Sequence, residues 1–135
     1  MPSGTRTLVG LSAVALVGSA LAFGFYVLRN EREADARVAA LTGGDPKRGP
    51  ALMVRFGCAG CHQIPGVQGP GGRVGPPLRD VGARVYLAGR LTNTPDNLVQ
   101  WIANPRAIDP GTAMPMTGIT EAQARDVAAY LLTSR

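Results

Sequence analysis

The sequence predicts an all-α protein: a few short helices in a loop-rich chain, behind one N-terminal helix long enough to cross a membrane. Three observations predict it. Residues 8–28 run for 21 residues without a charged side chain. Two downstream segments place apolar residues at helical spacing behind Thr N-caps. No stretch alternates with period two for long enough to build a sheet. At 135 residues the chain has room for one compact domain beside the apolar run.

The apolar run, LVGLSAVALVGSALAFGFYVL, would reach about 31 Å as a helix, the hydrocarbon thickness of a bilayer. Phe23, Phe25 and Tyr26 cluster at its end, as interfacial aromatics do. It could be a cleaved leader, with Arg6 as the basic flank and Ala20-Leu21-Ala22 as a small-x-small site. It could equally be a retained anchor, and the extension through Phe23–Leu28, which a leader does not need, favours that reading. The segment 1–28 is therefore read as an anchor. Residues 29–45, with three Arg and four acids, are read as a polar linker. Helix is possible over Glu31–Leu41, ending at Gly43-Gly44. Basic residues alone, Arg6 before the run against Arg29, Arg32 and Arg37 after it, would put the C-terminal side in the cytoplasm.

The domain 46–135 alternates short helices with Gly/Pro loops. Leu52, Met53 and Phe56 share one helical face. Asp45-Pro46 resembles a helix start, yet Pro50 conflicts with it, so the helix is distorted there or begins later. Residues 63–77 are too rich in Gly and Pro for regular structure. Thr94-Pro95 opens a helix carrying Leu98, Trp101 and Ile102, which stops at Asn104 before Pro105. Thr120-Glu-Ala-Gln123 is a capping box opening a last helix with Ala124, Val127, Ala128 and Leu131 on one face.

Composition excludes several classes. With 45% apolar residues the chain is not disordered, and 18 Gly with 11 Pro imply long loops. Two cysteines and one histidine exclude a multi-disulfide scaffold, a Cys/His zinc finger and a His-rich metal site. The ten basic and five acidic residues of 46–135 are dispersed, with no basic helix or aromatic-interleaved patch, so nucleic acid is not a partner. The basic balance points instead to partners with an acidic docking surface, with Arg48, Arg73, Arg79 and Arg106 as candidate contacts.

Cys58-Ala-Gly-Cys61-His62 is the sharpest signal. C-x-x-C-H is the attachment signature of c-type haem. Two thiols one turn apart can each add to a porphyrin vinyl group, and the next residue can aim its imidazole at the iron. A thioredoxin-like C-x-x-C would want a βαβ context, which is missing. With one histidine in the chain, His62 is the only possible imidazole ligand. The sixth position falls to a Met, Lys47, a weaker donor, water or nothing. Met53 sits on the same short helix as the motif, whereas Met114 and Met116 lie about fifty residues on, where a loop could wrap the opposite face.

Gly49 and Leu52 before GCAGCH, then VGPPL, TPDNLVQWIANP, PGTAMP and ARDVAAYL follow one another in order across nearly all of 46–135. In this the segment resembles a bacterial class I, mono-haem cytochrome c. The resemblance implies that fold, with three to five short helices around one covalent haem c. It implies Cys58 and Cys61 as thioether attachments, His62 as proximal ligand and Met114, after P-G-T-x, as distal ligand with Met116 as runner-up. It implies that Pro76 offers its carbonyl to His62, that Tyr86, Arg90 and Trp101 lie near the haem propionates, and that Gly49 crosses Tyr130. Met53 stands where the family commonly has an aromatic. Family haem attachment takes place outside the bacterial inner membrane, which puts the haem domain in the periplasm and overrides the Arg count. The implied function is one-electron transfer in a respiratory chain by a tethered carrier, not an enzyme in itself. Its redox partners would be a bc-type reductase, a haem–copper oxidase or a dehydrogenase. The alternatives are a subunit fixed in such a complex and, less favoured, a haem enzyme or gas binder with an open sixth position.

Overall fold

The computed structural model describes residues 3–134, and side chains from Ala13 to Ser134, so the Arg6 side chain lies outside the described residues. Among them are five α-helices, two single 3-10 turns and one two-stranded hairpin. Contacts divide the chain into two units, 1–34 and 35–135.

Helix α1 (Ser3–Thr42) is one uninterrupted helix of 40 residues. From Ala13 onward it is long and apolar enough to cross a membrane, and none of that stretch's most apolar window is buried by protein. Several of its polar side chains bond within the helix. Ser19 Oγ donates to Ala15 O at 2.9 Å, and Arg29 pairs with Glu33 at 2.9 Å one turn on. The helix ends where the glycine pair predicts: Gly43 takes φ +68° and its N–H donates to Ala39 O at 2.8 Å.

The second unit starts with the last turns of α1. Asp35, Val38, Ala39 and Thr42 are half-buried or buried at helical spacing. Thr42 is 1% exposed. Arg125 donates to Thr42 O at 2.9 Å, and Asp45 N–H donates to Asp126 Oδ1 at 2.7 Å. At the end of the expected linker 29–45, Thr42 and Gly44 are buried and Asp45 is half-buried, while Gly43 stays exposed.

Helix α2 (Gly49–Arg55) begins at Gly49 with Pro50 in its first turn, the later of the two expected starts. Helix α3 (Pro95–Ala103) is capped by Thr94, whose Oγ1 accepts Asn97 N–H at 3.2 Å. A four-residue helix α4 (Pro105–Ile108) follows directly, capped by Asn104. The expected stop at Asn104 is the C-cap of α3, and Pro105 both ends α3 and supplies the first residue of α4. Helix α5 (Glu121–Thr133) carries the predicted capping box in full. Strands β1 (Tyr86–Leu87) and β2 (Leu91–Thr92) pair antiparallel, Tyr86 with Thr92 and Leu87 with Leu91. Two-residue strands are too short to alternate. Their turn uses Ala88 (φ +49°) with Gly89 (φ +67°) instead of the Asn-Gly that signals a hairpin.

Helices α2 and α3 both pack on α5. The core is Met53, Val81, Leu87, Leu98, Val99, Ile102, Ile119, Ala124, Val127, Ala128 and Leu131, all under 9% exposed. At the α2–α5 crossing a Cβ on Gly49 would run into Tyr130 Cβ and sit 3.1 Å from Asp126 O. Gly49→Ala is thus an overpacking change at a backbone contact and should cost about 1–3 kcal/mol. A thermal melt of the holoprotein unchanged by this substitution would contradict the crossing.

Candidate functional site

The C-x-x-C-H segment leaves α2 through Gly57, whose φ of +70° turns the chain sharply. Cys58–Gly60 then form a 3-10 turn, with Cys61 N–H and His62 N–H both donating to Cys58 O, at 3.2 and 3.0 Å. This winding brings Cys58, Cys61 and His62 to one wall of a single cleft of about 290 Å³. The cysteines form no disulfide and are half-buried. Burial, with a smaller contribution from the neighbouring Cys61, pushes the Cys58 thiol up.

The Gly/Pro loop folds back over the motif. Gly72 N–H donates to Ala59 O at 3.1 Å, Gly75 N–H to Cys61 O at 2.8 Å, and Leu78 N–H to Gln63 O at 2.7 Å. These bonds bring Pro76 O to 2.8 Å from His62 Nδ1. With Nδ1 donating there, Nε2 keeps its lone pair free to ligate a metal. A Cβ on Gly75 would fall into the imidazole ring, so only glycine lets the loop come this close.

Another part of the lining comes from the loop between α4 and α5. Thr112 N–H donates to Asp109 O at 3.0 Å, and Met114 N–H to Thr112 Oγ1 at 3.2 Å. Thr112, Ala113, Met114 and Pro115 line the cleft; Met116 lies outside the lining and is 55% exposed. Apart from Arg84, the rest of the lining is mostly apolar, with Met53, Leu78, Val81, Leu87, Leu98, Ile102, Val127 and Leu131.

Among the other candidates, Trp101 lines the cleft. Tyr86 does not, and stands 64% exposed on β1. Arg90 does not line it either and sits 3.5 Å from Asp109. Arg48, offered as a docking contact, is held by Asp126 at 2.8 Å on the α2–α5 side. That pairing, first through the hydrogen bond and then through charge, raises the Arg48 pKa. Arg84 is the residue sequence reading missed. It is the one cation among the described lining residues, on a turn that no motif marks.

The arrangement fits a flat, apolar, iron-bearing macrocycle. Two thiols and an imidazole stand on one wall, a thioether donor stands on another, and glycine keeps the space beside the imidazole clear. A model of the Cytochrome c family matches residues 46–135. The chain belongs to the cytochrome c family. Its prosthetic group is a covalent haem c, attached at the C-x-x-C-H segment, and the domain is a module for haem-based electron transfer. Over 85 residues the chain is 36% identical to cytochrome c oxidase subunit 2 of Alkalihalophilus pseudofirmus, covering 62% of this chain and 24% of that protein. Over 91 residues it is 34% identical to cytochrome c oxidase subunit 2 of Bacillus sp. strain PS3, covering 64% and 25%. The cytochrome thus spans about a quarter of the length of these relatives.

Proposed function

We propose that this cytochrome is a membrane-tethered electron carrier with His62 and Met114 as axial ligands, passing single electrons in a respiratory chain. The observation that carries the reading is one cleft with Cys58, Cys61 and His62 on one wall and Met114 on another. When bound, the haem supplies a one-electron Fe(II)/Fe(III) couple. Cys58 and Cys61 fix it covalently, so it cannot dissociate in either state. His62, its Nδ1–H held by Pro76, presents Nε2 in a fixed direction. Met114 offers a thioether, which favours Fe(II). With His62 and Met114 both holding the metal, no substrate would reach it, and the site would serve transfer rather than oxygen chemistry. The apolar walls exclude water, so little solvent must reorganise when the charge changes.

The anchor is 1–28, the connector 29–45 and the haem domain 46–135, with that domain in the bacterial periplasm and the N-terminus in the cytoplasm. The test is the intact mass and ferric spectrum of protein purified from membranes. Chain plus one haem, low-spin, with a red-region sulfur–iron charge-transfer band, is expected. A high-spin ferric spectrum would mean an open sixth position and defeat the ligand assignment.

A haem–copper oxidase fits best as acceptor, because both similar relatives are oxidase subunits. Those relatives also support the second reading, a subunit held in such a complex. Co-migration with an a-type haem through mild solubilisation and native electrophoresis would select it over the free carrier. Arg73, Arg79 and Arg106 are exposed and have no described acidic partner. The carrier reading therefore expects the rate of electron delivery to a membrane oxidase to fall severalfold as salt rises through about 0.15 M, where screening shortens to about 8 Å. A salt-independent rate would remove the acidic docking partner.

A further inference from the structure

The loop facing His62 is also held from behind, by two side chains outside the ligand set. Gly75 N–H and Leu78 N–H anchor the two ends of the turn; between them Pro76 and Pro77 have no N–H and offer only carbonyls. His62 takes one, Pro76 O. Arg84 Nη2 takes the next, Pro77 O, and donates to Arg79 O at 3.0 Å. Arg84 sits at the end of the 3-10 turn Val81–Ala83, its N–H donating to Val81 O at 3.1 Å. Asn93 holds the same turn: its Nδ2 donates to Val81 O at 2.7 Å and Arg84 O at 2.8 Å, while its own N–H donates to Val85 O at 2.9 Å. Two carbonyls on Nδ2 fix the amide's orientation and leave Oδ1 buried with no donor. An unmet buried acceptor costs stability, which the two donated bonds must offset.

We propose that Asn93 and Arg84 are positioning residues that aim the Pro76 carbonyl at His62 and so set how strongly the imidazole donates to the iron. This rests on His62 being the ligand. Support runs in one line: Asn93 holds the Arg84 main chain, Arg84 holds Pro77 O, and the rigid Pro-Pro turn passes that fixity to Pro76 O. A firmly placed acceptor draws on the Nδ1 proton, makes the imidazole more basic and favours Fe(III). A loosened one does the reverse, and the reduction potential rises.

The test uses full-length holoprotein with Asn93→Ala, which changes no charge, and Arg84→Lys, which keeps the charge and loses the planar fork. Each should raise the midpoint potential. Each should also speed solvent exchange of the His62 Nδ1 proton in the ferrous protein about tenfold, one hydrogen bond's worth. The double variant should go little beyond the larger single effect, because both act on one carbonyl. Tyr130→Phe is the control. It removes the bond from Tyr130 Oη to Pro65 O at the other end of the same loop and should lower the melting temperature with the potential unmoved. Variants that melt early yet keep the parent's potential and proton exchange would reduce both residues to scaffolding. If Asn93→Ala does not mature, Arg84→Lys decides alone. Failure of the ligand reading is separate: it would appear in the parent, as a missing imidazole-ligand signature before any substitution.

Discussion

Cys58→Ser with Cys61→Ser should give a colourless chain whose haem domain does not hold its fold. The two thioethers are what keep the haem in the cleft. Without them the cleft of about 290 Å³ must stay open, fill with water or collapse. At about 24 cal/mol per Å³, an empty cavity of that size costs at most on the order of 7 kcal/mol. The whole stability of a domain of this size is about 5–13 kcal/mol, so the loss takes most of it. The residues around the cleft are also the core: Met53, Val81, Leu98, Ile102, Val127 and Leu131 belong to both. No second core exists to fall back on among the described residues of the domain. Helix α1 does not depend on this cleft, so total helicity would mask the loss. Trp101 gives a local reading, since it is the only tryptophan and lines the cleft. Its emission should move to that of a solvent-exposed indole, and intact mass should show chain alone. A cooperative melt with buried Trp101 emission in the double variant would overturn the account.

How far the sequence disclosed this structure follows from the range of each signal. Local chemistry reads well. Thr94, Thr120 and Gly43 act on their own neighbours and stand where capping rules put them. The C-x-x-C-H motif is a local device too, which is why Cys58, Cys61 and His62 could be named together. Face assignments also held, since Ala124, Val127, Ala128 and Leu131 are all buried. What failed to show was non-local or too short. The hairpin rests on two residues per strand and a turn with Ala88 in the left-handed region. Helix α4 has four residues behind a proline that already signalled a stop. Burial of Thr42 depends on Arg125 and Asp126, more than eighty residues away. Arg84 lines the cleft on a turn that Asn93 holds, a contact that no spacing rule marks. The Gly/Pro content of 63–77 announced a loop but not its course. Only the bonds back to Ala59, Cys61 and Gln63 explain how Pro76 meets His62.

Met114→Ala should leave the haem attached and change what it does, whereas Met116→Ala should change neither. The two methionines are two residues apart, yet the chain bends at Ala113–Met114 and carries Met116 out of the cleft. Hydrogen bonds from Thr112 N–H to Asp109 O and from Met114 N–H to Thr112 Oγ1 fix that bend. Met114 is half-buried on the cleft wall, and Met116 is 55% exposed outside it. Removing the Met114 thioether leaves Cys58, Cys61 and His62 untouched, so mass and haem content should match the parent. The red-region charge-transfer band should vanish, and added imidazole or cyanide should bind where the parent resists them. Loss of a ligand that favours Fe(II) should lower the potential on the order of 100 mV, about two tenfold steps at roughly 59 mV each for one electron. Met53 is the internal control on that side of the argument. It is 1% exposed and lines the same cleft, but α2 carries it beside the attachment segment. Met53→Leu should therefore cost less than about 1.5 kcal/mol of stability and leave the charge-transfer band in place. If that band survives Met114→Ala and disappears with Met116→Ala instead, the loop must rearrange around the haem and the assignment passes to Met116.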